Sequence, residues 1–264
     1  MIPKTLHLLW TGPPFGRGEW TSLVSALRNT TYEVVLHTDL LPTGLQYDPH
    51  ALKHPRLKVI MRNFPSEVQG VLLRKANISD YHRVEILLEH GGMYADLDIL
   101  WIRDVPLSET CKLASSWENP SYRTASNAWM AAEPGFEPLQ GLLEQFEAAL
   151  LNLKKRGFSD ITGPRHQKKH LLFFYITRDF LREHCCEILP KKTFFSNGWR
   201  RLGRALKRDG ISFPREQDIP DYPTKRRSCL CFGGSSGFHY FNSFFPFEAV
   251  ALLPEVQEQY HGLL

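Results

Sequence analysis

Two aspartates one residue apart, Asp96 and Asp98, sit in an otherwise apolar stretch, YADLDILW (94–101). Read as a strand, this stretch has a side-chain period of two, which puts both carboxylates on one face. Adjacent carboxylates repel each other unless a positive charge joins them, and hard divalent cations such as Mg2+ or Mn2+ take oxygen ligands of this kind. Acidic groups set in core-type sequence are costly unless paired or ligated, which distinguishes this triplet from an acidic strand end in solvent. Upstream, Asp80 and Arg83 lie three residues apart, the spacing that places an acid and a base on one face of a helix.

The elements that must position these groups are legible around them. Val84, Leu87 and Leu88 recur at helical spacing, and Ser79 or Asn77 offers a side chain to cap the helix start. Gly91-Gly92 then ends the helix, because glycine enters left-handed backbone conformations without penalty. The chain switches at that point to the strand carrying Asp96 and Asp98. One helix–turn–strand unit, from Ala76 to Trp101, would thus present an acid–base pair and a metal-binding acid pair to one cleft.

The run SDYHRVEILLEHGGMYADLD, residues 79–98, resembles the S-D-x-x-R…G-G-x-Y-x-D-x-D signature of the DxD-containing, sugar-binding glycosyltransferases, glycosyltransferase family 32. That family includes initiating mannosyltransferases and α-1,4-glycosyltransferases, and it shares its core with the glucosylating clostridial toxins. The resemblance implies an α/β fold of GT-A type: a Rossmann-like mixed sheet flanked by helices, in a single domain. It places a nucleotide-sugar-binding half at about residues 1–135. Acceptor-side helices and a loop-rich, closing C-terminal segment would occupy about 136–264.

The rest of the chain supplies further matches. IPKTLHLLW (2–10) is an apolar strand running into the breaker Thr11-Gly12-Pro13-Pro14, a junction that often opens a ligand crevice at a sheet's C-terminal edge. It resembles the family's opening strand, which implies that Leu8 and Trp10 line the nucleotide pocket, with the indole against the base. A helix over 20–29, a strand over 32–37 ending near Asp39, and a strand over 57–61 continue a doubly wound α/β half. Beyond the DxD, CKLASSW reads as a strand, and SNAWMAAEPGFEPL resembles an asparagine-led strand followed by a helix start. In that resemblance Asn127 faces the sugar. Thr162-Gly163-Pro164 resembles the family's turn ahead of a helix, here spanning about Lys168 to Glu183. Near the end, His239 and Ser243-Phe244 fit a segment that closes over the donor and adds a late metal or diphosphate contact. Phe244 stands where the family usually has tryptophan, and Asn242 is an alternative to His239 for that contact.

Composition narrows the classes. At 264 residues, 42% hydrophobic and 23% charged, the chain is an ordinary globular protein with length for one large core. A formal charge of +4 does not call for a nucleic-acid partner. The basic, aromatic-interleaved region 186–227 accompanies no nucleic-acid module; it reads as a solvated lid, ahead of an acceptor-binding face or a peripheral membrane contact. No apolar run is long enough to span a bilayer, and MIPKTLHLLW turns polar too early for a signal peptide. The expectation is a cytoplasmic protein, or alternatively a secretory-pathway catalytic domain lacking its anchor. Five cysteines (Cys111, Cys185, Cys186, Cys229, Cys231) show no zinc-ligand spacing and read as free or buried thiols.

The chemistry implied by the resemblance is transfer of a sugar from a nucleotide donor, a UDP-sugar first and GDP-mannose second, to a glycan, lipid or protein hydroxyl with retention. Asp96 and Asp98 would hold Mn2+ (or Mg2+), with Asp96 also reaching the ribose and His239 joining the metal. Asp80 and Arg83 would address the hydroxyls of the transferred sugar. Two alternatives use the same residues: a metal-dependent phosphatase or hydrolase built on the D-x-D, and a catalytically silent sugar-binding domain.

Overall fold

A computed structural model describes residues 1–12, 15–40, 51–119, 123–162, 172–194, 198–209, 211, 235–240 and 247–260. Ser243, Asn242 and Phe244, the Gly163-Pro164 turn, Cys229, Cys231 and most of the basic region after 211 lie outside them.

The centre is a seven-stranded mixed sheet. In chain order its strands are β1 (Thr5–Trp10), β2 (Glu33–Thr38), β3 (Leu57–Met61), β6 (Gly92–Ala95), β8 (Leu113–Asn119), β9 (Thr124–Ala132) and β10 (Glu187–Leu189). In space they run β10-β8-β9-β6-β1-β2-β3. All neighbouring pairs are parallel except those made by β9, which runs against both β6 and β8. The C-terminal ends of β1, β2, β6 and β8 therefore share one edge with the start of β9. A hairpin, β4 (Glu67–Val68) and β5 (Val71–Leu72), precedes the helix α2 (Lys75–His90). A separate ribbon pairs β7 (Ile99–Trp101) with β11 (Gly237–His239).

Alternation along the strands builds a core on each face of the sheet. Leu6 and Leu8 of β1, Met93 and Ala95 of β6, and Trp129 and Ala131 of β9 face α1 (Arg17–Asn29) and the C-terminal elements α6 (Phe247–Ala251) and α7 (Pro254–Gln259). Leu9, Tyr94, Met130 and Ala132 point the other way, onto α2, α3 (Glu137–Lys155) and α4 (Leu172–His184). A further helix, α5 (Gly198–Arg208), adds Leu202, Ala205 and Leu206 to the first core. This is the helix-flanked mixed sheet that the sequence led us to expect. Among the described residues no helix is long and apolar enough to cross a membrane.

Two local expectations need correcting. Helix α2 begins at Lys75 behind Arg74, with no side-chain cap, so neither Ser79 nor Asn77 caps it; both lie inside the helix and serve elsewhere. The DxD is not on a continuous strand. β6 stops at Ala95, Asp96 to Asp98 form a turn closed by Ile99 N–H donating to Asp96 C=O (3.2 Å), and β7 starts at Ile99. The cause is a change of layer: Ile99, Leu100 and Trp101 leave the sheet plane to bury completely in the α1-side core. The glycine pair behaves as expected. Gly91 (φ +64°) and Gly92 (φ +86°) take left-handed backbone, and a Cβ there would lie 2.5 Å from Pro134 and 2.7 Å from the Thr5 carbonyl.

One buried polar feature lies beneath the end of α2. His7 Nδ1 and His37 Nε2 are 2.9 Å apart, so only one of these nitrogens can carry a proton, and His90 stacks over both rings at 5.7 and 6.1 Å. Burial, reinforced by His90, holds His7 down at about 4. Burial, then His7, Arg62, His90 and Lys58, hold His37 at about 3. The unfolded chain takes up these protons near 6.5, so the fold loses stability as pH falls below that value. The expected loss is on the order of 2 kcal/mol per histidine by pH 5. Urea unfolding at pH 7 and pH 5 measures it, and His37→Gln should flatten the dependence.

Candidate active site

The turn after β6 places Asp96 and Asp98 at the C-terminal edge of the sheet. Asp96 N–H donates to Ala128 C=O (2.8 Å), tying the turn to β9, and Tyr240 N–H donates to Asp98 C=O (3.0 Å), tying it to the C-terminal segment. The β7–β11 register sets His239 opposite Ile99. His239 Nε2 consequently lies 3.0 Å from Asp98 Oδ1. Ligand atoms of Asp96, Asp98 and His239 all fall within 4.8 Å of one another, close enough to share one ion.

The field at this point is acidic. Asp98 and the half-buried Asp96 neighbour each other, and the charges of Glu19 on α1 and Glu118 on β8 are felt at Asp98 and His239 respectively. Burial raises the Asp96 pKa, Arg83 opposes it, and Asp98 raises it again. For His239, burial favours the neutral ring, but the attraction of Asp98, then Asp96 and Glu118, outweighs it and raises the pKa. Two carboxylates and an imidazole in this field are a donor set suited to a divalent cation.

Behind the turn stands Arg83, which is buried. Its Nη2 is 3.1 Å from Asp80 Oδ1 and 3.3 Å from Asp96 Oδ1, its Nε donates to Ser79 C=O (3.1 Å), and its Nη1 donates to Asn127 C=O. The guanidinium also lies over the Tyr94 ring, 4.6 Å from its centroid. Asn127 Nδ2 donates to Asp80 Oδ1 (2.8 Å), so α2 and β9 meet through one carboxylate. Burial pushes the Asp80 pKa up to about 6, while Arg83 restrains the rise.

A second path reaches Asp96. Arg83 Nη2 donates to Ser79 Oγ (3.1 Å), Ser79 Oγ lies 2.9 Å from Tyr94 Oη, and Tyr94 Oη donates to Asp96 Oδ1 (2.8 Å). Ser79, a cap candidate in sequence, and Tyr94 thus belong to the site. Tyr94 stands in the quoted G-G-x-Y-x-D-x-D pattern, which is the signal that could have found it. Glu19 and Glu118 had no such signal. Tyr94→Phe removes one buried hydroxyl and leaves Ser79 Oγ and Asp96 short of a partner, so it should cost about 1–2 kcal/mol in urea unfolding.

The remaining expected residues are Leu8, Trp10 and Ser243. Trp10 is half-buried at the end of β1, in a T-shaped contact with Phe15 at 5.5 Å, and Gly12 N–H donates to Asp39 Oδ1 (3.1 Å), linking the segments that follow β1 and β2. The Leu8 side chain is fully buried in the core, so it supports this edge from below. Asp80, Arg83, Asn127, Asp96, Asp98 and His239 come together through the contacts above. Ser243 is outside the described residues.

Comparison with known proteins bears on this arrangement. No curated protein matches the chain. Among solved structures, the chain is similar to PaToxG glycosyltransferase, at 16% identity over 69% of each chain with a TM-score of 0.49. It is also similar to the apo-form glycosyltransferase GlyE of Streptococcus pneumoniae TIGR4, at 13% identity over 90% of this chain and 54% of that one, again with a TM-score of 0.49. Residues 20–118 match the family model of the glycosyltransferase sugar-binding region containing a DXD motif, and this segment holds α2, the glycine pair and the Asp96–Asp98 turn.

Proposed function

We propose that the protein transfers a sugar from a nucleotide diphosphate donor, a UDP-sugar, to an acceptor hydroxyl with a divalent cation as cofactor. The observation that carries this reading is the convergence of Asp96, Asp98 and His239 at the sheet edge beside the Asp80–Arg83–Asn127 cluster. Asp96, Asp98 and His239 would hold the ion, and the mixed oxygen and nitrogen donors favour Mn2+ over Mg2+. Bound there, the ion would offset the charge that develops on the leaving diphosphate.

The chain's own residues do the rest. His239 must be neutral to offer a ring nitrogen as ligand, so ion binding should strengthen as pH rises through its elevated pKa. The contacts of Arg83 and Asn127 fall on Oδ1 of Asp80, which leaves Oδ2 to accept a sugar hydroxyl. Arg83 is committed to Asp80, Asp96, Ser79 and Asn127 and acts by positioning them. Trp10, half-buried at the end of β1, is the residue that the resemblance sets against the base. Retention of configuration rests on the resemblance of residues 79–98 to the retaining family. The phosphatase reading is disfavoured because its attacking aspartate follows the first strand, whereas this pair follows β6.

Assay of nucleotide released from a panel of UDP- and GDP-sugars, with and without Mn2+, tests the proposal. Release from one donor that requires Mn2+ names the sugar and the reaction class together. Covalent phosphorylation of Asp96 or Asp98 by a phosphate ester would establish the phosphatase instead.

A further inference from the structure

The three cysteines among the described residues gather at the opposite edge of the sheet from the acidic turn. Cys111 precedes β8 and is buried, Cys186 precedes β10 and is exposed, and Cys185 is half-buried beside it. All three are free thiols. Cys111 Sγ and Cys186 Sγ lie 3.1 Å apart, and Cys186 N–H donates to Leu113 C=O (3.1 Å), so the β8–β10 pairing sets the approach. A disulfide bond is about 2.05 Å, so closure needs a movement of about 1 Å, within reach of side-chain rotation.

The two sulfurs are not equivalent. Cys186 Sγ is 3.0 Å from Lys112 N–H and 3.4 Å from Leu113 N–H, donors that stabilise a thiolate. Although burial works against it, these contacts and Cys111 bring the Cys186 pKa below its ordinary value. Burial, followed by the contact with Cys186, pushes Cys111 up to about 12. One thiol is therefore accessible and activated, and the other is shielded beside it.

The geometry points to a reversible redox clamp, in which Cys186 is the oxidant-sensing thiol and Cys111 the resolving thiol of a disulfide joining β8 to β10. With a hydroperoxide as oxidant, Cys186 thiolate attacks the terminal peroxide oxygen. The O–O bond breaks, Cys186 becomes a sulfenic acid, and the departing alkoxide or hydroxide takes a proton from water. Cys111 sulfur then attacks Cys186 Sγ, the S–O bond breaks, and hydroxide leaves with the Cys111 proton as water. Two thiols have lost two electrons and the peroxide has gained them. An added dithiol reverses the step by thiol–disulfide exchange. The bridge fastens the edge strand β10, and with it the end of α4, to the interior strand β8.

The test is titration of the reduced protein with hydrogen peroxide, followed by non-reducing peptide mass spectrometry and thermal unfolding. The expected result is a Cys111–Cys186 cross-linked peptide, lost on adding dithiothreitol, with a rise in Tm of about 5 °C or more. Cys186→Ser, an exposed and conservative change, should abolish the cross-link, and Cys185→Ser should leave it intact. Bridging through Cys185, or oxidation of Cys186 to sulfinic acid with no cross-link, overturns the assignment. A Cys111–Cys186 bridge that leaves Tm unchanged overturns the clamp.

Discussion

Asp98→Asn should reduce sugar transfer by at least about 100- to 1,000-fold, the range for loss of one group that stabilises transition-state charge, while the protein stays folded. The amide has the carboxylate's shape and removes only its charge. In the ion-free protein that charge sits near Asp96 and Glu19, so its removal relieves repulsion even as the 3.0 Å contact with His239 weakens. Thermal unfolding without metal should therefore shift little, and any stabilisation by Mn2+ should disappear. His239 loses the partner that raises its pKa most, so its titration should move down. Full activity in Asp98→Asn, with metal still required, would remove Asp98 from the site.

Arg83→Ala should be the most damaging substitution for the fold, costing about 3–5 kcal/mol, the range for removing one member of a buried ion pair. From sequence, Arg83 is a ligand of the transferred sugar; its observed contacts give it a prior structural duty. The guanidinium is buried against Asp80 and Asp96, at 3.1 and 3.3 Å, and also satisfies Ser79 and the Asn127 carbonyl. Alanine would leave two carboxylates in a poorly solvated site without compensation. Against a typical total stability of about 5–15 kcal/mol, this is a large share. Arg83→Lys keeps the charge but cannot reproduce the planar fork, so it should fall between wild type and alanine. Urea unfolding of the three proteins measures the order, and a loss below about 1 kcal/mol in alanine would contradict the keystone role.

The legible part of the molecule is the part governed by local pattern. β3 over Leu57–Met61 and the Gly91-Gly92 break follow from strand pattern and glycine chemistry, and the structure places them there. The D-x-D pair stands out in sequence as two carboxylates in apolar surroundings, but the turn that carries it does not. Ile99-Leu100-Trp101 continue an apolar strand pattern in sequence, and nothing local says that they turn into the opposite core. Helix α2 likewise starts four residues before Ser79 because the β4–β5 hairpin delivers the chain there, a tertiary constraint that a capping pattern cannot express. His239 was matched by spacing alone, whereas its contact with Asp98 depends on the β7–β11 register across more than a hundred residues of chain. The Cys111–Cys186 approach has the same origin, since β8 and β10 pair over a long connection.

The most direct test of the central claim is calorimetric titration of UDP into the protein with and without Mn2+, repeated on Asp98→Asn. The account predicts that UDP binds tightly only when Mn2+ is present, and that the Mn2+-dependent gain is lost in the variant. Equal UDP affinity with and without Mn2+ in the wild-type protein would contradict it.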